Sequence, residues 1–216
     1  MAANATQTAY HHVKERILDG RIVGGDLISE GEVAAAVGLS RTPVREAFLR
    51  LESEGLLRLY PRRGALVVPV SAAEIEDVIE TRRLIELHAI DGIGRDAVRL
   101  GDRLAELIGD QERLAAAGDA RGFVESDREL HRAIVSSTGN AILISVHDSL
   151  RDRQSRMGLA ALAADAGRVQ EILGEHRAIA AAVRGGDAAA ARTLLASHID
   201  GTLSLLRGAP RSKPAG

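Results

Sequence analysis

Glu32-Val33-Ala34-Ala35-Ala36-Val37-Gly38-Leu39-Ser40-Arg41-Thr42-Pro43-Val44-Arg45-Glu46-Ala47-Phe48-Leu49-Arg50-Leu51 is the stretch on which the fold turns. Its first half predicts a short apolar helix closed by Gly38, the residue type that best tolerates a left-handed helix end. Ser40 then stands where it can N-cap a second helix, with Pro43 in the first turn, where a missing N–H costs nothing. On that helix Val44, Ala47, Phe48 and Leu51 recur at helical spacing and form one apolar stripe. Arg41, Thr42 and Arg45 gather at its start, and Arg50 lies further along. A short helix, a tight turn and a helix opening with basic and hydroxyl side chains is helix-turn-helix patterning, in which the second helix enters the major groove N-terminus first. Arginine pairs bidentately with guanine O6 and N7, Ser and Thr reach bases or phosphates, and the helix N-terminus favours phosphate. The alternative is a solvated helical surface whose arginines touch no nucleic acid.

Downstream, Leu56, Leu57, Leu59 and Tyr60 lead to Pro61-Arg62-Arg63-Gly64, then to Ala65-Leu66-Val67-Val68-Pro69-Val70. Two β-prone runs about such a turn predict a two-stranded hairpin, with Pro69 confined to an edge or a strand end. Arg62 and Arg63 at its tip form a wing suited to the DNA backbone or minor groove. Between Ser40 and Arg63 there are six Arg against three Glu, so positive charge concentrates here although the whole chain carries −2.

From Ser71 onward the pattern is helical. Ser71 with Glu74 predicts a capping box, and helices are expected near 72–97, 101–117, 119–137, 140–157, 165–184 and 187–206. Breaks are expected at Gly101, Gly118, Gly139-Asn140, Gly158 and Gly185-Gly186. The fold expected is therefore mostly α: a winged helix-turn-helix over 1–71 with a small β-hairpin wing, then an all-α bundle of six or seven helices over 72–207. Residues 208–216 are expected to be a disordered tail.

Composition narrows the function classes. The 216 residues are 45% apolar and 27% charged, an ordinary core-forming balance. No cysteine is present, which removes disulfides, thiolate zinc sites and cysteine nucleophiles together. The aromatics are Tyr10, Phe48, Tyr60 and Phe123, too few for the base-stacking platforms that read single strands. No apolar run approaches the ~18–20 residues of a membrane span, and the N-terminus lacks the apolar core of a signal peptide. A cytoplasmic protein with no membrane partner is expected.

In the second region, polar residues occupy apolar seams. One seam runs Phe123, Asp127, Leu130, His131, Ile134; another Val169, Ile172, Leu173, His176, Ile179, Val183; a third Ala191, Leu194, Leu195, His198, Thr202. Three histidines and an aspartate thus point into one interior from three helices. An unpaired buried Asp is costly and neutral imidazoles need partners. A divalent cation satisfies all four, zinc first, with nickel and manganese as other candidates. Asp127–His ion pairing without metal is the competing reading. Arg82 also falls inside an apolar stripe, that of Ile75, Val78, Ile79, Ile85 and Ala89. It either pairs with Glu86 one turn on, or clamps a carboxylate whose other oxygen reaches the cation.

Leu27-Ile28-Ser29-Glu30, Val37 through Leu51 and Glu54-Gly55-Leu56 closely resemble the winged-helix domain of the GntR family of bacterial transcription regulators. The run Ser40-Arg41-Thr42-Pro43-Val44-Arg45-Glu46-Ala47 is its most specific part. The resemblance covers residues 10–70 and implies DNA contacts from Ser40, Arg41, Thr42, Arg45 and the wing, including Gly64. Members often carry a basic residue early in the helix before the turn, where this chain has Gly31. Arg82-Arg83-Leu84-Ile85-Glu86, Asp127-Arg128-Glu129-Leu130-His131, Gly139-Asn140, Glu175-His176-Arg177-Ala178-Ile179 and His198 resemble the FCD ligand-binding domain of the FadR subfamily. That resemblance implies a bundle that binds a metal and a small carboxylate and dimerises. All four positions of the family's Asp-His-His-His set are filled. Members that sense fatty acyl groups lack the set, which disfavours a long-chain effector. Asn140 and His147 are further candidates for the pocket.

Together these features imply a homodimeric transcriptional repressor on a pseudo-palindromic double-stranded operator, controlled by a small carboxylate, and not an enzyme. Two alternatives are a metalloenzyme using the three-His, one-Asp site and a regulator that senses the metal itself. Against the enzyme, the seams offer no further carboxylate or paired nucleophile for general-base work.

Overall fold

The structure, a computed structural model, describes residues 2–94, 96–165 and 167–208. The chain divides after Val70 into two compact units. Of the tail expected at 208–216, Gly208 closes the last helix and the remainder lies outside the described residues.

The first unit runs α1 (Ala2–Leu18), β1 (Leu27–Ile28), α2 (Glu30–Val37), α3 (Arg41–Ser53), β2 (Leu57–Tyr60) and β3 (Gly64–Val67). A full capping box opens α2: the Ser29 hydroxyl accepts from Glu32 N–H while the Glu32 carboxylate accepts from Ser29 N–H. Gly38 ends it with φ 68°, in the left-handed region. Ser40 occupies the N-cap position of α3, but its side chain makes no capping bond and stays exposed. The predicted stripe of Val44, Ala47, Phe48 and Leu51 is buried against Tyr10, Val13 and Ile17 of α1, Val33 of α2, and Leu57, Ala65 and Val67 of the strands.

The sheet has three strands rather than the expected two, in the order β1-β3-β2 with both pairs antiparallel. A two-residue strand shows no alternation, so β1 left no sequence signal; its pairing of Leu27 with Leu66 and Ile28 with Ala65 is a long-range event. Gly64 owes its identity to this pairing. It has φ +98°, and a Cβ on it would stand 2.4 Å from the Ile28 carbonyl oxygen.

The second unit contains α4 (Ala72–Asp91), α5 (Ala97–Ala116), α6 (Ala120–Ser136), α7 (Ala141–Ser149), α8 (Arg151–Ala164), α9 (Arg168–Arg184) and α10 (Ala188–Gly208). Seven helices are thus present among the described residues. The single helix expected over 140–157 is two, meeting at Leu150, and α4 stops at Asp91 rather than 97. At its start the Ser71 side chain accepts from Glu74 N–H, one half of the predicted capping box. Gly101 and Gly158, expected as breaks, lie inside α5 and α8. Both are packing glycines: a Cβ would come within 2.4 Å of Arg184 Cβ at the first and 2.9 Å of Val124 Cγ1 at the second. Helix α5 packs against α6 and α9, and α10 against α4 and α9, around Leu104, Leu130, Ile134, Ile179, Leu195 and Ile199. No helix among the described residues is long and apolar enough to cross a membrane.

Candidate functional site

Asp127 and His131 lie one turn apart on α6, His176 on α9 and His198 on α10, and their candidate donor atoms lie within 4.8 Å of one another. All three imidazoles are buried; Asp127 is half-buried. His131 Nε2 stands 3.2 Å from His198 Nε2, and His176 Nε2 is 3.5 Å from Asp127 Oδ1. The second Asp127 oxygen is 4.0 Å from His131 Nε2. The four residues singled out in the sequence therefore converge.

The outer nitrogens explain why the inner ones face each other. His131 Nδ1 bonds Glu86 Oε2 of α4 at 2.7 Å, His198 Nδ1 bonds Glu175 Oε2 of α9 at 2.6 Å, and His176 Nδ1 bonds Gln111 Oε1 of α5 at 2.8 Å. An ionised carboxylate has no proton to give, so His131 and His198 donate from Nδ1 and, when neutral, carry lone pairs on Nε2. Burial, the neighbouring imidazoles, Arg82 and Arg168 hold the His176 pKa well below the ordinary histidine value. Burial also lowers His198, outweighing the bond to Glu175. For Glu86, burial pushes upward, but the Arg82 guanidinium and His131 overcome it and keep the carboxyl well below its usual range. Lone pairs then meet lone pairs across 3.2 Å, and His176 Nε2 is buried with no hydrogen-bond partner. A cation between them resolves both conflicts. The 3.2, 3.5 and 4.0 Å separations lie inside the ~4.4 Å that two nitrogen or oxygen donors can span around one ion at the usual bond lengths.

Arg82 of α4 is 7% exposed and makes the expected pair with Glu86 one turn on. Its Nε donates to Glu86 Oε1 at 2.7 Å, while its Nη2 is buried without a partner. Glu86 thereby links Arg82 to His131. A cavity beside the cluster is lined by Arg82, Asp127 and His198, and by Phe123, Val124, Arg128, Gln154, Met157, Gly158, Ala161, Leu162, Arg168, Ile172 and Thr202. Asn140, expected at the effector site, is not in this lining. It is exposed at the start of α7, where its side chain accepts from Ile142 and Leu143 N–H as an N-cap. His147 of α7 is buried with its Nε2 3.6 Å from Glu86 Oε1 and is not part of the lining.

In the first unit Ser40, Arg41, Thr42 and Arg45 are all exposed at the start of α3, and Arg62 and Arg63 are exposed at the hairpin tip. Arg45 retains 73% of its side-chain surface, with Glu30 no nearer than 4.0 Å. The Arg41 guanidinium leans over Gly31, where a Cβ would meet Nη2 at 3.5 Å. Space that a basic side chain at 31 would need is thus partly taken by Arg41. Arg62 has φ 64°, the only positive value for a non-glycine among the described residues, which fixes the tip. Arg50 departs from expectation. Its guanidinium lies 3.9 Å from the Tyr10 ring centroid and bonds Gln7 Oε1 at 3.0 Å and Glu54 Oε1 at 3.3 Å, so α1 and Glu54 engage it. Gly64 serves the strand pairing described above.

Sequence reasoning missed the supports Gln111 and Glu175 and the cavity residue Gln154. Glu175 adjoins His176 in sequence, yet its partner is His198, a pairing visible only once α9 and α10 are packed together.

Residues 77–201 match the FCD domain, and residues 5–67 match the bacterial regulatory proteins of the gntR family. A "Probable D-xylose utilization operon transcriptional repressor" of Paenarthrobacter nicotinovorans is 30% identical over 85% of this chain and 80% of its own length. An uncharacterised HTH-type transcriptional regulator of Streptomyces ambofaciens is 28% identical over 88% of this chain and 80% of its own. Among solved structures, a GntR transcriptional regulator from Rhodococcus sp. RHA1 superposes with a TM-score of 0.80 at 26% identity, covering 97% of this chain and 100% of that one.

Proposed function

Because the chain belongs to the GntR family of bacterial regulatory proteins and carries an FCD domain, it is a transcription regulator rather than an enzyme, and we propose that it is a metal-dependent repressor released or tightened by a small carboxylate. The observation that carries this reading is the convergence of Asp127, His131, His176 and His198 beside an Arg82 whose buried Nη2 has no partner. A bound divalent ion, with zinc the first candidate and nickel or manganese next, would supply a positive charge and an open coordination position for a carboxylate oxygen. Arg82 offers the other oxygen a charge-assisted N–H. Glu86, Gln111 and Glu175 hold the imidazole planes and fix which nitrogen faces inward.

At the DNA end, two copies of the chain would present their α3 N-termini to successive major grooves of a pseudo-palindromic operator, as dimeric helix-turn-helix proteins do. Ser40, Arg41, Thr42 and Arg45 face the bases and adjoining phosphates, and Arg62 and Arg63 track the backbone. Binding of the carboxylate alters operator affinity only through a difference in its affinity for the DNA-competent and incompetent states. Such a regulator acts in the cytoplasm.

Metal analysis of the purified protein tests the centre: about one equivalent per chain is expected, falling to a trace in Asp127→Ala. Equal metal content in the two proteins would refute it. For the DNA end, Arg45→Ala is expected to weaken binding to DNA flanking the protein's own gene by ~1–3 kcal/mol in a band-shift assay. Unchanged retention would remove Arg45 from base reading. If metal alone shifts the band and carboxylates add nothing, the protein senses the metal itself.

A further inference from the structure

The cavity beside the metal cluster holds a second buried donor that the fold does not employ. Gln154, on α8, lines it, and the Gln154 Nε2 is buried without a hydrogen-bond partner. The other orphaned donor of the lining is Arg82 Nη2. An unmade buried donor is costly, and a ligand oxygen removes that cost when the cavity fills. One of the two orphans is a cation and the other is neutral, and that difference sets the chemistry of what they bind.

The remaining cations of the lining are already answered. Arg128 donates to Glu125 Oε1 at 2.9 Å and also pairs with Glu129. Arg168 donates to Glu171 at 3.2 Å and to Glu175 at 3.0 and 3.1 Å. Each guanidinium meets two carboxylates, so neither calls for a second anionic group on the ligand. Phe123, Val124, Met157, Ala161 and Leu162 make the wall apolar. The cavity volume is about 40 Å³, so its occupant is compact.

We infer that the acid held in this cavity carries a second, uncharged oxygen, a hydroxyl or carbonyl set off from its carboxylate by a short apolar stretch, and that the Gln154 amide selects for it. The inference rests on the reading above in which a carboxylate meets Arg82 and the metal. Gln154 touches the ligand and sets its specificity, while Arg82 and the cation supply the general affinity for acids.

Calorimetric titration of the full-length, zinc-loaded protein with butyrate, 3-hydroxybutyrate, 4-hydroxybutyrate and succinate tests this. At least one hydroxy acid is expected to bind about tenfold tighter than butyrate, and succinate no tighter than butyrate. Gln154→Leu should bring the hydroxy acids to the butyrate level and leave butyrate within about twofold. Gln154→Met, which keeps the length and volume of the side chain but removes the donor, should do the same and covers the case in which the leucine variant fails to fold. Zinc content and melting temperature of both variants should match the parent. A hydroxy-acid advantage that survives in either folded variant, the absence of any such advantage, or tightest binding of succinate would overturn the inference while leaving the carboxylate reading intact. Failure of all four acids to bind would overturn both.

Discussion

Glu86→Ala is expected to destabilise the helical unit by about 3–5 kcal/mol, because it strands two buried partners at once. Arg82 Nε and His131 Nδ1 both donate to this fully buried carboxylate, and His147 stands behind it. With the carboxylate gone, the Arg82 charge is left in the interior with no counter-ion on its own helix. The His131 ring also loses the acceptor that fixes its orientation, and metal affinity is expected to fall by about 10–100-fold. Glu86→Gln separates the two effects, since it keeps the volume and an acceptor but removes the charge. Urea unfolding followed by circular dichroism, together with metal titration, measures both. Stability and affinity unchanged in the alanine variant would show that the carboxylate supports neither group. The pH dependence has a defined sign. A carboxyl held below its usual value contributes its stabilisation fully at neutral pH, and that contribution is lost as acidification passes through the lowered folded-state value.

Phe48→Ala is the corresponding experiment on the first unit. Phe48 is 1% exposed in a core shared by α1, α2, α3 and the strands, and truncation there costs about 3–5 kcal/mol. A unit of this size has little stability to spare, so the variant is expected to lose specific DNA binding. Its metal content should stay at the parent level, because every member of the proposed metal site belongs to the second unit. Band shift and metal analysis of one preparation read the two outcomes together. Retained DNA binding would show that the core tolerates the cavity; lost metal would show that the units do not fold independently.

What could be read beforehand follows from how each feature is encoded. The α3 stripe and the three histidine-bearing seams were legible because helical periodicity is local, and a polar residue on an apolar seam is conspicuous within a few turns. Strand β1 was not, since two residues cannot display a period and its partner lies some way along the chain. Gly101 and Gly158 read as breaks because glycine's lack of a Cβ serves both helix ends and close helix contacts, and the sequence does not say which. The same ambiguity affected Asn140, whose amide caps α7, and Arg50, whose exposure at the level of pattern concealed its stacking on Tyr10. The four candidate ligands were readable one seam at a time. Their supports Gln111 and Glu175 and the cavity residue Gln154 were not, because their meaning depends on which helix packs opposite.

The three imidazoles lean on three different neighbours: Glu86 of α4, Gln111 of α5 and Glu175 of α9. With α6, α9 and α10, which carry the four clustered residues, five of the seven helices described for the second unit thus converge on one small volume. With an ion in the proposed site, fraying of any one of the five would misalign a donor, so loss of the ion and loosening of the bundle would become the same thermodynamic event. Occupancy of the proposed site would then act as a running audit of the whole bundle, and a substitution far from the four residues would empty the cage without touching it.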